Sequence, residues 1–227
     1  MPSRPIQGFP PAIFFAIASR MGLEIRNLDC ARGQRRLLSG VDFSVPDGRV
    51  LVLTGPNGAG KTTLLKTIAG LIPAAGGEIV APPESMVYVG HENGLKSQLS
   101  VAENLRFWQK IFQCGDVDET LETFELSDLS NRRAQHLSAG QKRRLGLARV
   151  FLCNRSIWLL DEPAVSLDAA SRTMLTAVID RHTGMGGIAV IVSHDALGPE
   201  RADRLDVGRF RAVATARTDA FLQAFAS

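Results

Sequence analysis

A glycine-rich segment is the first part of the chain whose residue types could carry out chemistry. Residues 55–62 read GPNGAGKT and fit the phosphate-loop pattern G-x-x-x-x-G-K-[ST] in full, after an apolar run and before a helical one. Glycines let backbone N–H groups turn inward around an anion, and a helix beginning near Lys61 adds its positive end. The alternative is a glycine turn that only caps a helix. The residues predicted to bind phosphate are Gly55, Pro56, Asn57, Gly58, Ala59, Gly60, Lys61, Thr62 and Thr63.

Two carboxylates, Asp161 and Glu162, follow another apolar run at residues 157–160. If this run is a parallel strand beside the phosphate loop, both carboxylates reach the sheet edge where ligands of α/β folds collect. Asp161 and the Thr62 hydroxyl are then the predicted ligands of Mg²⁺, a hard ion that prefers oxygen. Glu162 is predicted to orient or deprotonate an attacking water, and Lys61 to reach the β and γ phosphates. Taken alone, the Asp-Glu pair could be a solvated turn.

A third segment, LSAGQ at residues 137–141, precedes a predicted helix. The Ser138 hydroxyl, the Gly140 backbone and the helix N-terminus form a second constellation suited to phosphate, although the same residues could simply cap the helix. The basic run KRR follows at residues 142–144. Because successive positions spread around a helix, we expect most of these charges to be solvated and do not predict a nucleic-acid surface.

Short β-like runs alternate with helical ones, which predicts an α/β fold with a largely parallel, covered sheet. One stripe of the helical stretch, Val101, Leu105, Trp108 and Phe112, is either core packing or a groove for a partner helix. The predicted strands are at residues 23–28, 41–45, 50–54, 85–89, 156–160 and 188–192. The predicted helices are at residues 61–69 and within residues 100–150, and the tail at residues 201–227 is expected to add a strand and a short helix.

The composition is that of a globular protein able to bury a full core: of 227 residues, 45% are apolar and 22% charged, with a net charge of +3. So mild an excess of positive charge does not mark a nucleic-acid binder. Three widely spaced cysteines, Cys30, Cys114 and Cys153, are expected to be free thiols in a reducing compartment. Residues 1–20 are expected to form a disordered extension, whose apolar run is shorter than the ~20 residues of a transmembrane helix. Met21 is an alternative start of the protein.

In this order along the chain, the phosphate loop, LSAGQ, LLDEP, SLD and SH resemble the nucleotide-binding domains of ABC transporters, over about residues 23–205. The resemblance implies a P-loop NTPase of the ABC type over residues 21–227, with a mostly parallel sheet core and an antiparallel β part. It also implies a helical subdomain at about residues 92–152. The implied activity is hydrolysis of ATP with Mg²⁺.

Members of that family work as two domains that meet head to tail. The resemblance therefore implies a homodimer, with ATP held between the phosphate loop of one copy and the LSGGQ-like signature of the other. By position, Asp168 in SLD links the two sites, and His194 in SH touches the γ-phosphate as a further catalytic residue. The residues implied to contact the partner's ATP are Ser138, Ala139, Gly140 and Gln141, with alanine in place of the commoner glycine at the second position.

Two positions depart from the family pattern. His91 follows the strand predicted at residues 85–89, where a glutamine usually senses Mg²⁺ and couples to the membrane subunit. Arg32 is the nearest candidate for the aromatic residue that usually stacks on adenine, and its planar guanidinium can stack on a base. We therefore expect weak discrimination between ATP and GTP.

The segments GHENGLK, ENLRFW, LSAGQKRR and WLLDEP closely resemble the ATP-binding subunits of the haem exporter of bacterial cytochrome c biogenesis. That resemblance implies a peripheral subunit on the cytoplasmic face of the inner membrane, with integral membrane transporter subunits as partners and no nucleic acid. Its ATP hydrolysis would drive haem transfer or the release of a haem-carrying chaperone. Direct haem binding by His91 or a cysteine is not expected, because no local haem motif is present.

Three other functions stay open at the level of the sequence. The chain could energise another transporter. It could also be a nucleotide-dependent scaffold whose turnover is incidental, which steady-state hydrolysis would distinguish. An ABC ATPase of nucleic-acid repair or translation ranks last, because those proteins usually carry long insertions or two fused domains.

Overall fold

The computed structural model describes residues 22–113, 115–193 and 202–212, so the expected extension at residues 1–20 and most of the tail lie outside it. Within these ranges, strands alternate with helices as the sequence pattern predicts. The strands are β1 (Leu23–Arg32), β2 (Arg35–Val45), β3 (Val50–Thr54), β4 (Gly76–Val80), β5 (Met86–Val89), β6 (Ile157–Asp161), β7 (Ile188–Val192) and β8 (Asp203–Asp206). The α-helices are α1 (Lys61–Ile68), α2 (Val101–Phe112), α3 (Val117–Thr123), α4 (Ala139–Leu152) and α5 (Ala169–Gly184). Short 3₁₀ turns lie at Ser127–Leu129, Ala134–His136 and Val207–Phe210.

The larger sheet is parallel and runs in the order β5-β6-β7-β3-β8. Its strands end at one edge, where the phosphate loop follows β3 and Asp161 closes β6. The sequence interpretation assumed that β6 lies beside the strand of the phosphate loop. This was wrong, because β7 lies between β6 and β3. Val192 of β7 is in register with Leu53 on one side and with Asp161 on the other. The two site segments therefore stay at one level of the sheet although a strand separates them.

A smaller antiparallel sheet, in the order β2-β1-β4, is the antiparallel β part that the resemblance implied. Its strand β2 lies against the phosphate loop, since a Cβ placed on Gly60 would be 3.1 Å from Leu38 Cγ. Residues near the end of the described chain join the two sheets. Arg211 forms a bridge with Leu38, and the Ala212 N–H donates to the Leu37 carbonyl at 3.0 Å. The phosphate loop thus follows a strand of one sheet and lies against a strand of the other.

The parallel sheet has a hydrophobic layer on each face, because successive side chains of a strand point in opposite directions. In β6, Trp158 and Leu160 pack on the side of α2 to α5, whereas Ile157 and Leu159 pack on the side of α1 and the antiparallel sheet. All four side chains are buried. A sheet covered on both faces explains why its strands read as continuous apolar runs in the sequence.

Between β5 and β6 the chain is mainly helical, and α2, α3 and α4 pack on one another. The boundaries of a separate helical subdomain stay a prediction. The stripe on α2 divides: Val101 and Leu105 are buried in the core, while Trp108 and Phe112 are only partly buried. Core packing therefore explains Val101 and Leu105, whereas Trp108 and Phe112 remain partly accessible at the surface. No helix in the described ranges has the length and apolar character that crossing a bilayer would need.

Candidate functional site

The phosphate loop leads into the N-terminus of α1. Gly60 adopts φ 102°, a left-handed conformation that side chains disfavour, and it precedes α1 without a side-chain cap. The first N–H groups of the helix are therefore available to a ligand, at the positive end of the helix dipole. Gly55, at the other end of the loop, has φ 129°, and a Cβ there would lie 3.0 Å from Asp206 Oδ1. This backbone fits the anion site that the pattern predicts.

The remaining predicted residues of the loop complete its turn. The Ala59 N–H donates to the Pro56 carbonyl at 3.1 Å, which closes the curve of the backbone. Asn57 and Gly58 are exposed at the tip, and Thr63 is half-buried in the first turn of α1. A backbone hydrogen bond, rather than these side chains, therefore holds the turn of the loop.

Lys61 is buried, and its ammonium group lies against the loop. Nζ donates hydrogen bonds to the carbonyls of Gly55 at 2.7 Å and Pro56 at 3.1 Å. Both acceptors belong to the predicted phosphate-binding residues, so the cation already lies at the loop that would hold a phosphate. A phosphate oxygen carries more negative charge than a carbonyl oxygen and forms the stronger hydrogen bond with an ammonium group.

The two predicted metal ligands contact each other. The Thr62 hydroxyl donates to Asp161 Oδ1 at 3.1 Å, and Asp161 is fully buried. A hydroxyl beside a carboxylate is an oxygen donor set of the kind that Mg²⁺ prefers, so the residues present fit this ion. Among the described residues there is no group of three or more His, Cys, Asp or Glu side chains that could hold a metal.

Tyr88 supports Asp161 and was not identified from the sequence. Its hydroxyl donates to Asp161 Oδ2 at 3.2 Å. Burial, and then the negative charge of Asp161, raises the pKa of the Tyr88 phenol, so the phenol keeps its proton and remains a donor. Tyr88 lies in β5, which pairs with β6. Only this strand pairing, which no local pattern shows, brings the hydroxyl to the carboxylate.

Glu162 follows Asp161 in a strained backbone conformation. Its φ of 48° lies in the left-handed region, which non-glycine residues rarely adopt. The Glu162 N–H donates to the Val192 carbonyl at 2.9 Å, which fixes the residue beside β7. The side chain is half-buried at the edge that carries the phosphate loop. Its role in orienting water stays a prediction.

Arg143 corrects the sequence interpretation of the basic run. That interpretation expects mostly solvated charges, yet Arg143 is only 3% exposed and its two basic neighbours are half-buried. Its guanidinium donates to the carbonyls of Glu162 at 2.8 Å and Asp161 at 3.2 Å. Helical spacing could have revealed this, because Arg143 shares a face of α4 with Leu147, which is buried one turn later.

Ser138 and Gln141 cap the N-terminus of α4 reciprocally. The Gln141 N–H donates to Ser138 Oγ at 3.2 Å, and the Ser138 N–H donates to Gln141 Oε1 at 2.9 Å. The helix cap that the sequence left as an alternative is therefore present. Ser138 and Ala139 are exposed, and a Cβ on Gly140 would lie 3.1 Å from the Ser166 carbonyl. The signature segment, residues 138–141, thus lies next to the loop that leads to α5.

Of the hydrogen bonds between described residues, none joins the signature segment to the phosphate loop of the same chain. Asp168 is the N-cap of α5, and its Oδ1 accepts from the Ser171 N–H at 2.8 Å. This hydrogen bond lowers the pKa of the Asp168 carboxyl. The structure therefore brings Lys61, Thr62, Asp161 and Glu162 to one sheet edge, and no hydrogen bond between described residues joins the signature residues or Asp168 to them.

The other predicted residues remain at the level of prediction. His91 is exposed in the loop after β5. Arg32 is exposed at the end of β1, where its backbone pairs with that of Arg35 in β2. His194 and Cys114 lie outside the described residues. The two other cysteines, Cys30 and Cys153, are buried thiols.

Known proteins resemble this chain over the segments described above. The family model described as ABC transporter matches residues 38–165, which include the phosphate loop, the signature segment and Asp161. The cytochrome c biogenesis ATP-binding export protein CcmA of Paracoccus denitrificans is 53% identical over 190 residues, which cover 84% of this chain and 90% of that protein. The protein of the same name from Roseobacter denitrificans is 48% identical over 205 residues, which cover 90% of this chain and 100% of that protein. Among solved structures, an ABC transporter ATP-binding protein from Pyrococcus furiosus has a TM-score of 0.74 at 25% identity, over 84% of this chain and 99% of that chain.

Proposed function

Because the chain belongs to the ABC transporter family and, within it, to the ATP-binding export proteins of cytochrome c biogenesis, we propose that two copies of it bind Mg²⁺ and ATP between them. The chain is an ATPase of the ABC type. Hydrolysis drives an export step at the membrane, and the proposed cargo is haem or a haem-carrying chaperone that is released. Family membership supports the activity, and the site described above supports the assignment of its residues.

One observation carries the assignment of residues. Two segments far apart in the chain, the phosphate loop with α1 and the end of β6, meet at one sheet edge through the Thr62–Asp161 hydrogen bond. Lys61 and Glu162 are the immediate neighbours of that pair in sequence. A cation, a hydroxyl and two carboxylates beside open backbone N–H groups are what a magnesium–triphosphate site needs.

Each residue at this edge has a distinct task in the proposed reaction. The N–H groups of the loop and of α1 bind phosphate oxygens, and Lys61 neutralises charge on the β and γ phosphates. When bound by Thr62 and Asp161, Mg²⁺ supplies further positive charge. Glu162 orients the attacking water or accepts its proton, and His194 contacts the γ-phosphate.

The proposed partner of this edge is a second copy of the chain. No hydrogen bond between described residues joins the signature segment to its own phosphate loop, and Ser138 and Ala139 are exposed, which supports a contact with a nucleotide held by another molecule. In the head-to-tail pair, Ser138, Ala139, Gly140 and Gln141 of one copy contact ATP on the loop of the other. Asp168 lies at the junction of the two sites.

We place the membrane contact at a partly exposed surface of α2, which we term the α2 face: Phe107, Trp108, Ile111 and Phe112. Phe107 and Trp108 pack edge to face with ring centroids 5.2 Å apart, and Ile111 is 52% exposed. Apolar patches on a surface helix mark protein-binding sites. Together with the loop around His91, this face would contact integral membrane subunits at the cytoplasmic side of the inner membrane.

Replacing Glu162 by glutamine tests the proposal, because glutamine keeps the size of the side chain but cannot take up a proton. We expect Glu162→Gln to bind ATP as tightly as the unmutated protein and to hydrolyse it at least about 100-fold more slowly. With ATP and Mg²⁺ present, the variant should accumulate as a dimer. The measurements are steady-state phosphate release, titration with a fluorescent ATP analogue, and size-exclusion chromatography with and without ATP.

Glu125→Gln is the matched control for this experiment. Glu125 also has a left-handed backbone, with φ 52°, but it lies in the turn after α3 and outside the site. It should keep full activity and show no ATP-dependent accumulation of dimer beyond that of the unmutated protein. Undiminished hydrolysis by Glu162→Gln would contradict the role assigned to Glu162. An unmutated protein that binds ATP without hydrolysing it would instead favour a nucleotide-dependent scaffold.

A further inference from the structure

Arg143 uses its whole guanidinium group inside the protein. Besides its two bonds to carbonyls at the end of β6, its Nε donates to the Pro163 carbonyl at 3.1 Å. Nη1 donates to the Gly90 carbonyl at 2.7 Å and to Asn93 Oδ1 at 3.2 Å. An arginine carries five N–H donors, and here five oxygen atoms accept from them. Each donor therefore has its own acceptor.

The acceptors belong to two different parts of the site. Asp161, Glu162 and Pro163 are consecutive residues at the carboxyl end of β6, whereas Gly90 and Asn93 flank His91 in the loop after β5. The donor comes from a third part, the α4 helix that begins at the signature segment. One buried side chain thus connects the signature helix, the end of β6 and the loop after β5.

The bond to Glu162 holds a backbone that is unfavourable by itself. A left-handed conformation at a non-glycine residue costs about 1 kcal/mol or more, and it persists only where neighbouring groups fix it. Glu162 is fixed on one side by its N–H, which donates to Val192, and on the other by its carbonyl, which accepts from Arg143. The Val165 N–H also donates to that carbonyl, at a longer 3.3 Å. Arg143 is therefore the contact through which α4 bears on the Glu162 backbone.

We propose that Arg143 is a positioning residue of the hydrolysis reaction, which transmits the position of the signature helix to the backbone of Glu162 and to the loop around His91. This inference rests on the proposed function, in which the tip of α4 contacts the nucleotide of the other copy. When that tip is pressed against a bound nucleotide, Arg143 fixes the carboxylate of its own site in place for water. The two sites of a dimer are thereby coupled through α4.

A guanidinium is the group that can make this connection. It presents its donors in a rigid planar fork, and it keeps its charge in proteins. Burial lowers the pKa of Arg143, and the negative charge of Asp161 opposes that shift. A lysine offers three donors from a single point, so it cannot reach the end of β6 and the loop after β5 together. Arg143→Lys should therefore keep the charge and lose the connection.

The first test separates turnover from nucleotide binding. We expect Arg143→Lys and Arg143→Gln to lower kcat by about tenfold to a hundredfold, because a misplaced catalytic group costs that much. KM and the affinity for a fluorescent ATP analogue should stay within about threefold of the unmutated values, because the phosphate loop is unchanged. Arg155→Gln is the matched control: Arg155 also donates to a backbone carbonyl, that of Glu84, but at the opposite end of β6. This control should keep the unmutated kcat.

The second test needs no turnover. Hydrogen–deuterium exchange without nucleotide should be about tenfold faster in the peptide spanning residues 161–167 of both Arg143 variants, because the Glu162 backbone is released. Exchange in the peptide spanning β7 should be unchanged, which shows that the variants are folded. The lysine variant keeps the aliphatic stem and the charge, so the test can still be carried out with it if the glutamine variant does not fold.

Several outcomes would overturn the inference. It fails if Arg143→Lys keeps full kcat, if the loss of activity follows from lost nucleotide affinity, or if exchange in residues 161–167 does not rise. It also fails if both variants are unfolded, because Arg143 then serves the fold as a whole. If the unmutated protein shows no turnover, both the proposed function and this inference are overturned. If the unmutated protein is active and the Arg143 variants are equally active, only the inference is overturned.

Discussion

His182 is a histidine enclosed in the interior of the protein. Its ring stacks on Trp158, with centroids 3.8 Å apart and planes 8° from parallel. Nε2 lies 3.2 Å from the Ile188 carbonyl, which can only accept, so the ring donates from this nitrogen. Burial lowers the pKa of His182 to about 4, and the contact with the Ile188 carbonyl opposes the shift. The neutral ring therefore belongs to the folded state.

This burial predicts a loss of stability in mild acid. The folded pKa of about 4 lies below the ordinary 6.5, so the unfolded chain takes up the proton first as the pH falls. Stability is complete above about pH 6.5 and declines toward pH 4, and the free energy of unfolding should fall by about 2 kcal/mol between pH 7.5 and pH 5. Urea denaturation at both pH values measures this. His182→Gln should remove most of that difference, and the exposed His136→Gln should retain it; equal slopes in the two variants would refute the assignment.

The sequence identified the residues of the proposed site whose type phosphate chemistry favours. Lys61, Thr62 and Asp161 lie at one sheet edge, as their motifs predicted, and their roles toward a triphosphate stay predictions. The contacts of Tyr88 and Arg143 escaped prediction because they cross the fold. Tyr88 meets Asp161 from 73 positions away, and Arg143 meets the loop after β5 from 53 positions away, distances that no local pattern spans.

Two helices of the protein begin with the same capping arrangement. Ser100 at the start of α2 accepts from the Glu103 N–H at 3.2 Å, and its own N–H donates to Glu103 Oε2 at 2.7 Å. Ser138 and Gln141 repeat this arrangement at α4. A serine cap of this kind contributes about 1 kcal/mol to stability. Of these two helices, α4 alone has a proposed role toward a nucleotide.

That pair of caps separates stability from function. We expect Ser100→Ala and Ser138→Ala each to lower the free energy of unfolding by about 1 kcal/mol, because each loses one cap. In a Glu162→Gln background, only the change at Ser138 should weaken the ATP-dependent dimer, by about tenfold or more, because a charge-assisted hydrogen bond is lost. Chemical denaturation and analytical ultracentrifugation with ATP measure the two effects. Equal dimerisation of the two variants would show that Ser138 is a helix cap and nothing more.

The sequence predicted elements well where burial itself defines them. The bounds of β3 and β7 agree with prediction, because an apolar run covered on both faces is as long as the strand. By contrast, β4 has no apolar pattern and begins with Gly76 and Gly77. A Cβ on Gly77 would lie 2.3 Å from the Asn27 carbonyl, so this strand exists through close backbone pairing with β1. A local sequence pattern does not predict which distant strands pair. It therefore predicted neither the pairing of β4 with β1 nor the position of β7 between β3 and β6.

At the scale of the whole molecule, the α2 face and the phosphate loop lie on different secondary-structure elements. The loop lies between β3 and α1, and the α2 face lies on the helical segment between β5 and β6. A cation lies over each of its three rings: Lys96 Nζ is 4.4 Å from the Phe107 centroid, Arg149 is 4.8 Å from that of Trp108, and Arg155 is 5.6 Å from that of Phe112. A protein partner can therefore occupy this face without entering the nucleotide site.

A charge placed on the α2 face should break the proposed membrane contact and spare catalysis. Ile111→Asp should lower the amount of protein that sediments with inner-membrane vesicles containing the export system by about tenfold, because an unpaired charge in an apolar interface is costly. ATP hydrolysis without membranes should stay within about twofold. Met185→Asp is the matched control, since Met185 and Ile111 are each 52% exposed and Met185 lies at the end of α5. Equal retention of both variants would remove the α2 face from the proposal.

The strand that carries the phosphate loop has both of its neighbours late in the chain. β3 spans Val50–Thr54, but its partners are β7, at Ile188–Val192, and β8, at Asp203–Asp206. During translation, the phosphate loop is therefore synthesised long before β7 and β8, the two strands that pair with β3. Contacts between residues so far apart in the sequence also form slowly. A fragment that ends before Ile188 contains the phosphate loop but lacks both strands that pair with β3. We therefore expect ATP to stabilise the chain that contains β7 and β8 and to leave such a fragment unprotected.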